Sequence, residues 1–186
     1  MRLFVAIEIP QEIRNTLAAF IKELRSIAPQ AKWIRAENLH VTLKFLGNSD
    51  EQKLPALENA LSAIRSSNPV SLQFRGLGFF PNPKRPRVFW VGMESSPNLS
   101  TIAYDIDHAA HNLGFPLEDR PFAPHLTLAR FEPPGVPSQL ASAIAYNASR
   151  EFGAITTSQF HLIQSTLKPA GAEYSTLRSF PFASET

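Results

Sequence analysis

His40-Val41-Thr42-Leu43 and His125-Leu126-Thr127-Leu128 are two copies of one short phrase set 85 positions apart, and their reading decides the fold. In an extended strand, side chains at i and i+2 leave the same face. His40 therefore projects beside Thr42 and His125 beside Thr127, while Val41, Leu43, Leu126 and Leu128 turn into a core. Each phrase sets an imidazole and a hydroxyl side by side on a sheet. Two such pairs facing one cleft supply a proton acceptor, a proton donor and two hydroxyl donors around a single anion. That equipment can hydrolyse a phosphodiester without a metal.

One His-x-Thr alone carries little weight, but the flanking sequence repeats as well. Ser71-Leu72-Gln73-Phe74 is echoed by Thr157-Ser158-Gln159-Phe160, displaced by 86 positions. Leu3-Phe4-Val5-Ala6-Ile7 has its counterpart in Val88-Phe89-Trp90-Val91, displaced by 85. Three matches in one order at nearly one offset indicate a duplication. We read a single domain built from two repeats, 1–86 and 87–186. A period this long in two copies is not a solenoid; it implies a bilobal, pseudo-twofold unit.

The chain's 186 residues, 44% apolar and 18% charged, provide ample core and no tract biased toward disorder. No apolar stretch approaches the ~20 residues needed to cross a bilayer, and the start meets Glu8 and Pro10 too soon for a signal peptide. With no cysteine, disulfides, thiolate zinc sites and a cysteine nucleophile are excluded. The expectation is a cytoplasmic monomer with no membrane partner. A formal charge of +2 is too small to indicate nucleic-acid binding by itself.

Periodicity predicts a strand at 3–8, a helix at 11–27 with Pro29 beyond it, a motif strand within 32–47, and a helix at 54–66. Strands at 72–80 and 87–93 flank a proline-stiffened loop. A helix at 99–113 ends at Gly114, a second motif strand lies within 121–130, a helix spans 139–147, and strands close the chain at 156–164 and 173–180. That order implies an α+β fold of mainly antiparallel sheets flanked by helices around a central cleft.

The chain resembles the 2H phosphoesterases, defined by paired His-x-Thr-x motifs, and among them the RNA 2′,3′-cyclic phosphodiesterases, also called 2′-5′ RNA ligase-like proteins. The likeness is carried by residues 2–7, by Trp33 through Gly47, and by Phe79-Phe80-Pro81 with residues 87–92. It continues through Arg120-Pro121-Phe122-Ala123-Pro124 into the second motif and Arg130, and on to Ser165-Thr166-Leu167, Gly171 and Tyr174. The resemblance implies that His40 and His125 form the acid–base pair and that Thr42 and Thr127 hold the phosphate. It further implies that O3′ leaves while the phosphate stays on the 2′ oxygen, with no cofactor. We assign His40 as proton donor and His125 as proton acceptor. The same site run in reverse would join a cyclic end to a 5′-hydroxyl; a non-catalytic RNA-binding module is the other alternative.

Six further residues are candidates for substrate binding. Lys44 continues the alternation of His40 and Thr42, so it could meet phosphate or sit exposed at a strand end. The family pattern favours Arg130, yet strict alternation puts it opposite His125 and Thr127. It enters the cleft only if a bulge intervenes. Phe45, a candidate for stacking on a nucleobase, has the same problem on its own strand. Lys84, Arg85 and Arg87 form the one dense basic cluster, suited to an RNA backbone. His108 and His111, near Asp105 and Asp107, mimic half a metal site but read as an exposed helical face; no metal site is expected. His161 has no evident partner.

Overall fold

The computed structural model describes residues 1–182. In chain order the elements are β1 (Arg2–Glu8), α1 (Gln11–Ile27), β2 (Lys32–Trp33), β3 (His40–Asn48), α2 (Leu54–Ser62), β4 (Val70–Phe80), β5 (Val88–Ser95), α3 (Asn98–His111), β6 (His125–Arg130), α4 (Ser138–Tyr146), β7 (Glu151–Thr157), β8 (Gln159–Lys168) and β9 (Gly171–Pro181). They form two antiparallel sheets. Sheet A runs β3-β1-β8-β9 and sheet B runs β2-β6-β5-β4-β7.

The helices form where an apolar stripe recurs at helical spacing. In α1 that stripe is Ile13, Leu17, Phe20, Ile21 and Leu24, all buried, and the helix stops just before Pro29. Gly114, at φ +88°, turns the chain sharply after α3, a conformation in which a β-carbon would be strained. Helices and strands cross between sheets. β1 belongs to sheet A, yet the α1 that follows it packs on β7 and α4; β5 belongs to sheet B, yet α3 packs on β3 and α2. The main apolar core joins Leu3, Val5 and Ile7 of sheet A with Phe89, Val91, Leu126 and Leu128 of sheet B, and a small second cluster of Phe4, Ala6 and Ile163 lies on the opposite face of sheet A.

The repeats are visible in the registers and are interwoven. β4, from the first repeat, lies in sheet B, and β8, from the second, lies in sheet A. The helix expected over 54–66 stops at Ser62, and three further segments differ. The motif stretch from Lys32 breaks into β2, a short 3₁₀ turn at Ala36–Asn38, and β3, because β2 pairs with β6 in the other sheet. The second motif strand begins only at His125, since Pro121 and Pro124 cannot donate to a ladder. Residues 156–164 are not one strand: β7 ends at Thr157, Ser158 turns the chain, and β8 begins at Gln159. β7 itself escapes a pattern search because Gly153, at φ +124° and pressed against Ile13, interrupts the alternation.

Candidate active site

β3 and β6 come together where the two sheets meet, and each presents its histidine at its first residue. The two imidazoles are held the same way. His40 Nδ1 lies 2.7 Å from the Asn38 carbonyl and His125 Nδ1 lies 2.8 Å from the Ala123 carbonyl. A carbonyl only accepts, so in both rings Nδ1 carries the hydrogen and Nε2 is left as the basic atom. Asn38 and Ala123 are again 85 apart, and the signal is invisible in side chains because both partners are backbone.

Both strands then carry the bulge that strict alternation lacks. On β3, Ala6 pairs with Thr42 but Val5 pairs with Lys44, leaving Leu43 without an opposite. On β6, Trp90 pairs with Thr127 but Phe89 pairs with Ala129, leaving Leu128 without one. The extra residue reverses the alternation beyond it. Lys44 and Ala129 turn inward, while Phe45 and Arg130 rejoin the faces of the two histidines. Phe45, 58% exposed, lies 6.1 Å from the Phe4 ring, which in turn lies 4.6 Å from His40.

Lys44 therefore leaves the face of His40 and Thr42, contrary to the expected alternation, and is not an exposed strand end. It is 3% exposed, with Nζ 2.6 Å from Asp107 Oδ1, 2.6 Å from the Pro116 carbonyl and 3.2 Å from Glu118 Oε1. The basic loop, in contrast, is exposed. The Asn82 side chain accepts the backbone N–H groups of Lys84 and Arg85, and the loop rejoins β5 at Val88, opposite Arg130. Lys32 pairs with Arg130 across the strands, and the charges of Lys32, Arg130 and Arg87 all depress the Glu132 carboxyl, which places these cations together.

Burial lowers both histidines. It holds His40 near pKa 4 against the carbonyl hydrogen bond that raises it, with Arg14 and His125 lowering it further. His125 is likewise lowered, first by burial, then by Arg130. Both rings are therefore neutral at pH 7 without substrate. Residues that sequence reasoning passed over complete the surroundings. Tyr174 stands edge-on to His40 at 5.3 Å, and Phe80 edge-on to His125 at 4.9 Å. The Arg14 Nε is buried without a hydrogen-bond partner. Tyr174 and Phe80 lay inside the matched segments, whereas nothing in the spacing of α1 singles out Arg14. His108 and His111 bond to carbonyls of Tyr104 and Phe115, and among the described residues no three His, Asp or Glu converge as metal ligands.

The model of the LigT like Phosphoesterase family matches twice, at residues 7–90 and 91–174. An RNA 2′,3′-cyclic phosphodiesterase of Archaeoglobus fulgidus is 37% identical over 97% of this chain and 99% of its own length. One from Methanothermobacter thermautotrophicus is 34% identical over 97% and 98%. Among solved structures, TT0787 of Thermus thermophilus superposes with a TM-score of 0.82 at 31% identity, covering all of both chains. Escherichia coli LigT complexed with 3′-AMP gives 0.76 at 28% identity, covering 98% of each. With both repeats matched and both histidines held alike, the chain belongs to the LigT-like phosphoesterase family.

Proposed function

We propose that the protein hydrolyses RNA 2′,3′-cyclic phosphates to 2′-phosphomonoesters by metal-independent acid–base catalysis. The observation that carries this reading is the pair of imidazoles, each locked as the Nδ1–H form with Nε2 free, on adjoining strands beside a threonine hydroxyl. His125 Nε2 takes a proton from water as the water oxygen attacks phosphorus. The P–O3′ bond breaks, and His40 Nε2–H protonates O3′. Thr42 and Thr127 hold the phosphate oxygens.

On this reading His40 is the donor, and it must carry a proton against the burial that depresses it. A bound phosphate anion favours the charged form of a nearby imidazole, so the substrate itself helps load His40 with the proton it gives away. Arg130 adds a cation at the phosphate, Phe45 offers a face to the base, and Lys84, Arg85 and Arg87 follow the RNA backbone. The partner is an RNA end, and the cleft needs no second copy of the chain.

The test is incubation of an RNA ending in a 2′,3′-cyclic phosphate with excess chelator, followed by locating the product phosphate. A 2′-phosphate released at undiminished rate is expected. A 3′-phosphate, or activity abolished by chelator and restored by zinc or manganese, would overturn the mechanism. Charge reversal at Lys84, Arg85 and Arg87 together should weaken long RNAs and spare a cyclic mononucleotide, with a reduced salt dependence. Equal loss on both substrates would remove the loop from RNA binding.

A further inference from the structure

The face of sheet A that carries His40 and Thr42 also carries a second polar cluster, which the acid–base scheme leaves idle. One register row crosses all four strands as Thr42, Ala6, His161 and Ser179. Paired residues in an antiparallel sheet share a face, so His161 stands two strands, about 10 Å, from Thr42 on the same surface. His161 is only 6% exposed. Its Nδ1 lies 2.9 Å from the Ser179 hydroxyl and its Nε2 lies 4.0 Å from Glu8 Oε2. The other Glu8 oxygen accepts the Thr176 hydroxyl. Glu8 is itself the cross-strand partner of His40.

The 4.0 Å separation is too long for a hydrogen bond. An oxygen atom standing about 2.8 Å from each group would close it. Burial keeps His161 lowered, against the pull of Glu8, so the ring is neutral at pH 7. The Ser179 hydroxyl can donate to Nδ1 or accept from it, whereas the Glu8 carboxylate only accepts. In the tautomer in which Ser179 donates to Nδ1, Nε2–H points at the gap, and a hydroxyl can accept from it while donating to Glu8. A phosphate oxygen would meet the carboxylate charge to charge. The pair thus suits a neutral hydroxyl beside an anion site.

On the phosphodiesterase reading above, the reacting ribose has both its 2′ and 3′ oxygens in the cyclic phosphate. The nearest free ribose hydroxyl on an RNA end is then the 2′-hydroxyl of the preceding nucleotide. We infer that Glu8 and His161 form a subsite for that 2′-hydroxyl, so the enzyme reads RNA one residue upstream of the bond it cleaves. Ser179 and Thr176 hold the ring of His161 and the carboxylate of Glu8 in place.

The experiment compares two dinucleotides ending in a 2′,3′-cyclic phosphate and differing only in a 2′-hydroxyl or 2′-hydrogen on the first residue. With the intact protein, the ribo form should show kcat/KM about tenfold higher, the scale of one hydrogen bond to a charged group. The difference should lie in KM. In Glu8→Ala and in His161→Phe, the ribo-to-deoxy ratio should fall to about one. The ratio is taken within each variant, so any change in folding or basal rate cancels. A ratio of one in the intact protein, or a ratio preserved in both variants, overturns the subsite. Failure of the intact protein to hydrolyse any 2′,3′-cyclic phosphate, a mononucleotide included, overturns the phosphodiesterase reading itself.

Discussion

Beside Thr127, sheet B is closed by one large ring; beside Thr42, sheet A is filled by a polar pair. The registers make the two places equivalent. Trp90 faces Thr127 on one side and Gly78 on the other, as Ala6 faces Thr42 and His161. Gly92 faces His125 as Glu8 faces His40. The Trp90 indole lies flat over both glycines, so close that a β-carbon on Gly78 would stand 2.2 Å from its Cζ2. Where sheet A has a small residue between two long polar ones, sheet B has a large residue between two that have no side chain. The space is conserved while the chemistry is reversed. A duplicated backbone thus yields one wall filled by a single ring, whose indole N–H is buried without a partner, and one wall lined by a carboxylate and an imidazole, so the nearly symmetric pair of histidines stands in unlike surroundings.

The strongest challenge to this comparison is at the histidines. His40→Ala and His125→Ala should each lower kcat by roughly 10²–10⁴, and the double variant should be little worse, since the two act as a unit. Full activity in either variant would remove that residue. The pH profile separates their roles. The donor must be protonated, so the rate falls as pH rises through its pKa; the acceptor must be neutral, so the rate falls as pH drops through its own. Both are held below 6.5 in the free protein, His40 near 4, so kcat/KM should peak on the acid side of 6.5. The kcat profile should peak higher, because bound phosphate raises both. A kcat/KM maximum above pH 7 would show that burial does not set these pKa values.

Lys44 and its counterpart Ala129 give the next largest contrast. Lys44→Met leaves Asp107 and the Pro116 carbonyl without their cation and should cost about 3 kcal/mol in stability, measured by urea unfolding. Ala129→Ser, at the same step of the other bulge, tests whether any polar group is tolerated there. It should cost less, about 1–3 kcal/mol for an unmatched hydroxyl. Equal stability of Lys44→Met and the parent would mean that the buried cluster holds nothing together.

Smaller effects follow at the hydroxyls and glycines. Thr42→Ala and Thr127→Ala should each lose about 1.5–3 kcal/mol of transition-state stabilisation, read as kcat/KM. Gly78→Ala should cost roughly 1–3 kcal/mol of stability by pushing the indole off the sheet. Gly47→Ala meets no such neighbour, and its cost should come only from its φ of +69°. An unchanged melting temperature for Gly78→Ala would show that Trp90 does not need the space the glycine leaves.

Much of this was legible in the residues. Alternation placed His40 with Thr42 and His125 with Thr127, and the helix over 11–27 has the observed limits. The alternation then misplaced Lys44, because a bulge inserts one residue without changing composition. Phe45 and Arg130 reached the correct faces through that same device, which the sequence raised as a condition and could not decide. β7 and the corner at Ser158 were missed because Gly153 and Ala154 carry no strand pattern. The partner of His161 was missed for a different reason. Ser179 and Glu8 come from strands 18 and 153 positions away, and only the sheet order brings them together.

The crossing of strands between repeats has a consequence for how the molecule can come apart. Sheet A, which carries His40, is completed by β8 and β9 from the second repeat; sheet B, which carries His125, borrows β2 and β4 from the first. A fragment cut at the repeat boundary keeps its histidine strand and one neighbour, β3 with β1 or β6 with β5, but loses other strands of its sheet, β8 and β9 in one case and β2 and β4 in the other. Each strand that carries a histidine therefore stands in a sheet that both repeats build, and neither sheet is complete without the other half of the chain.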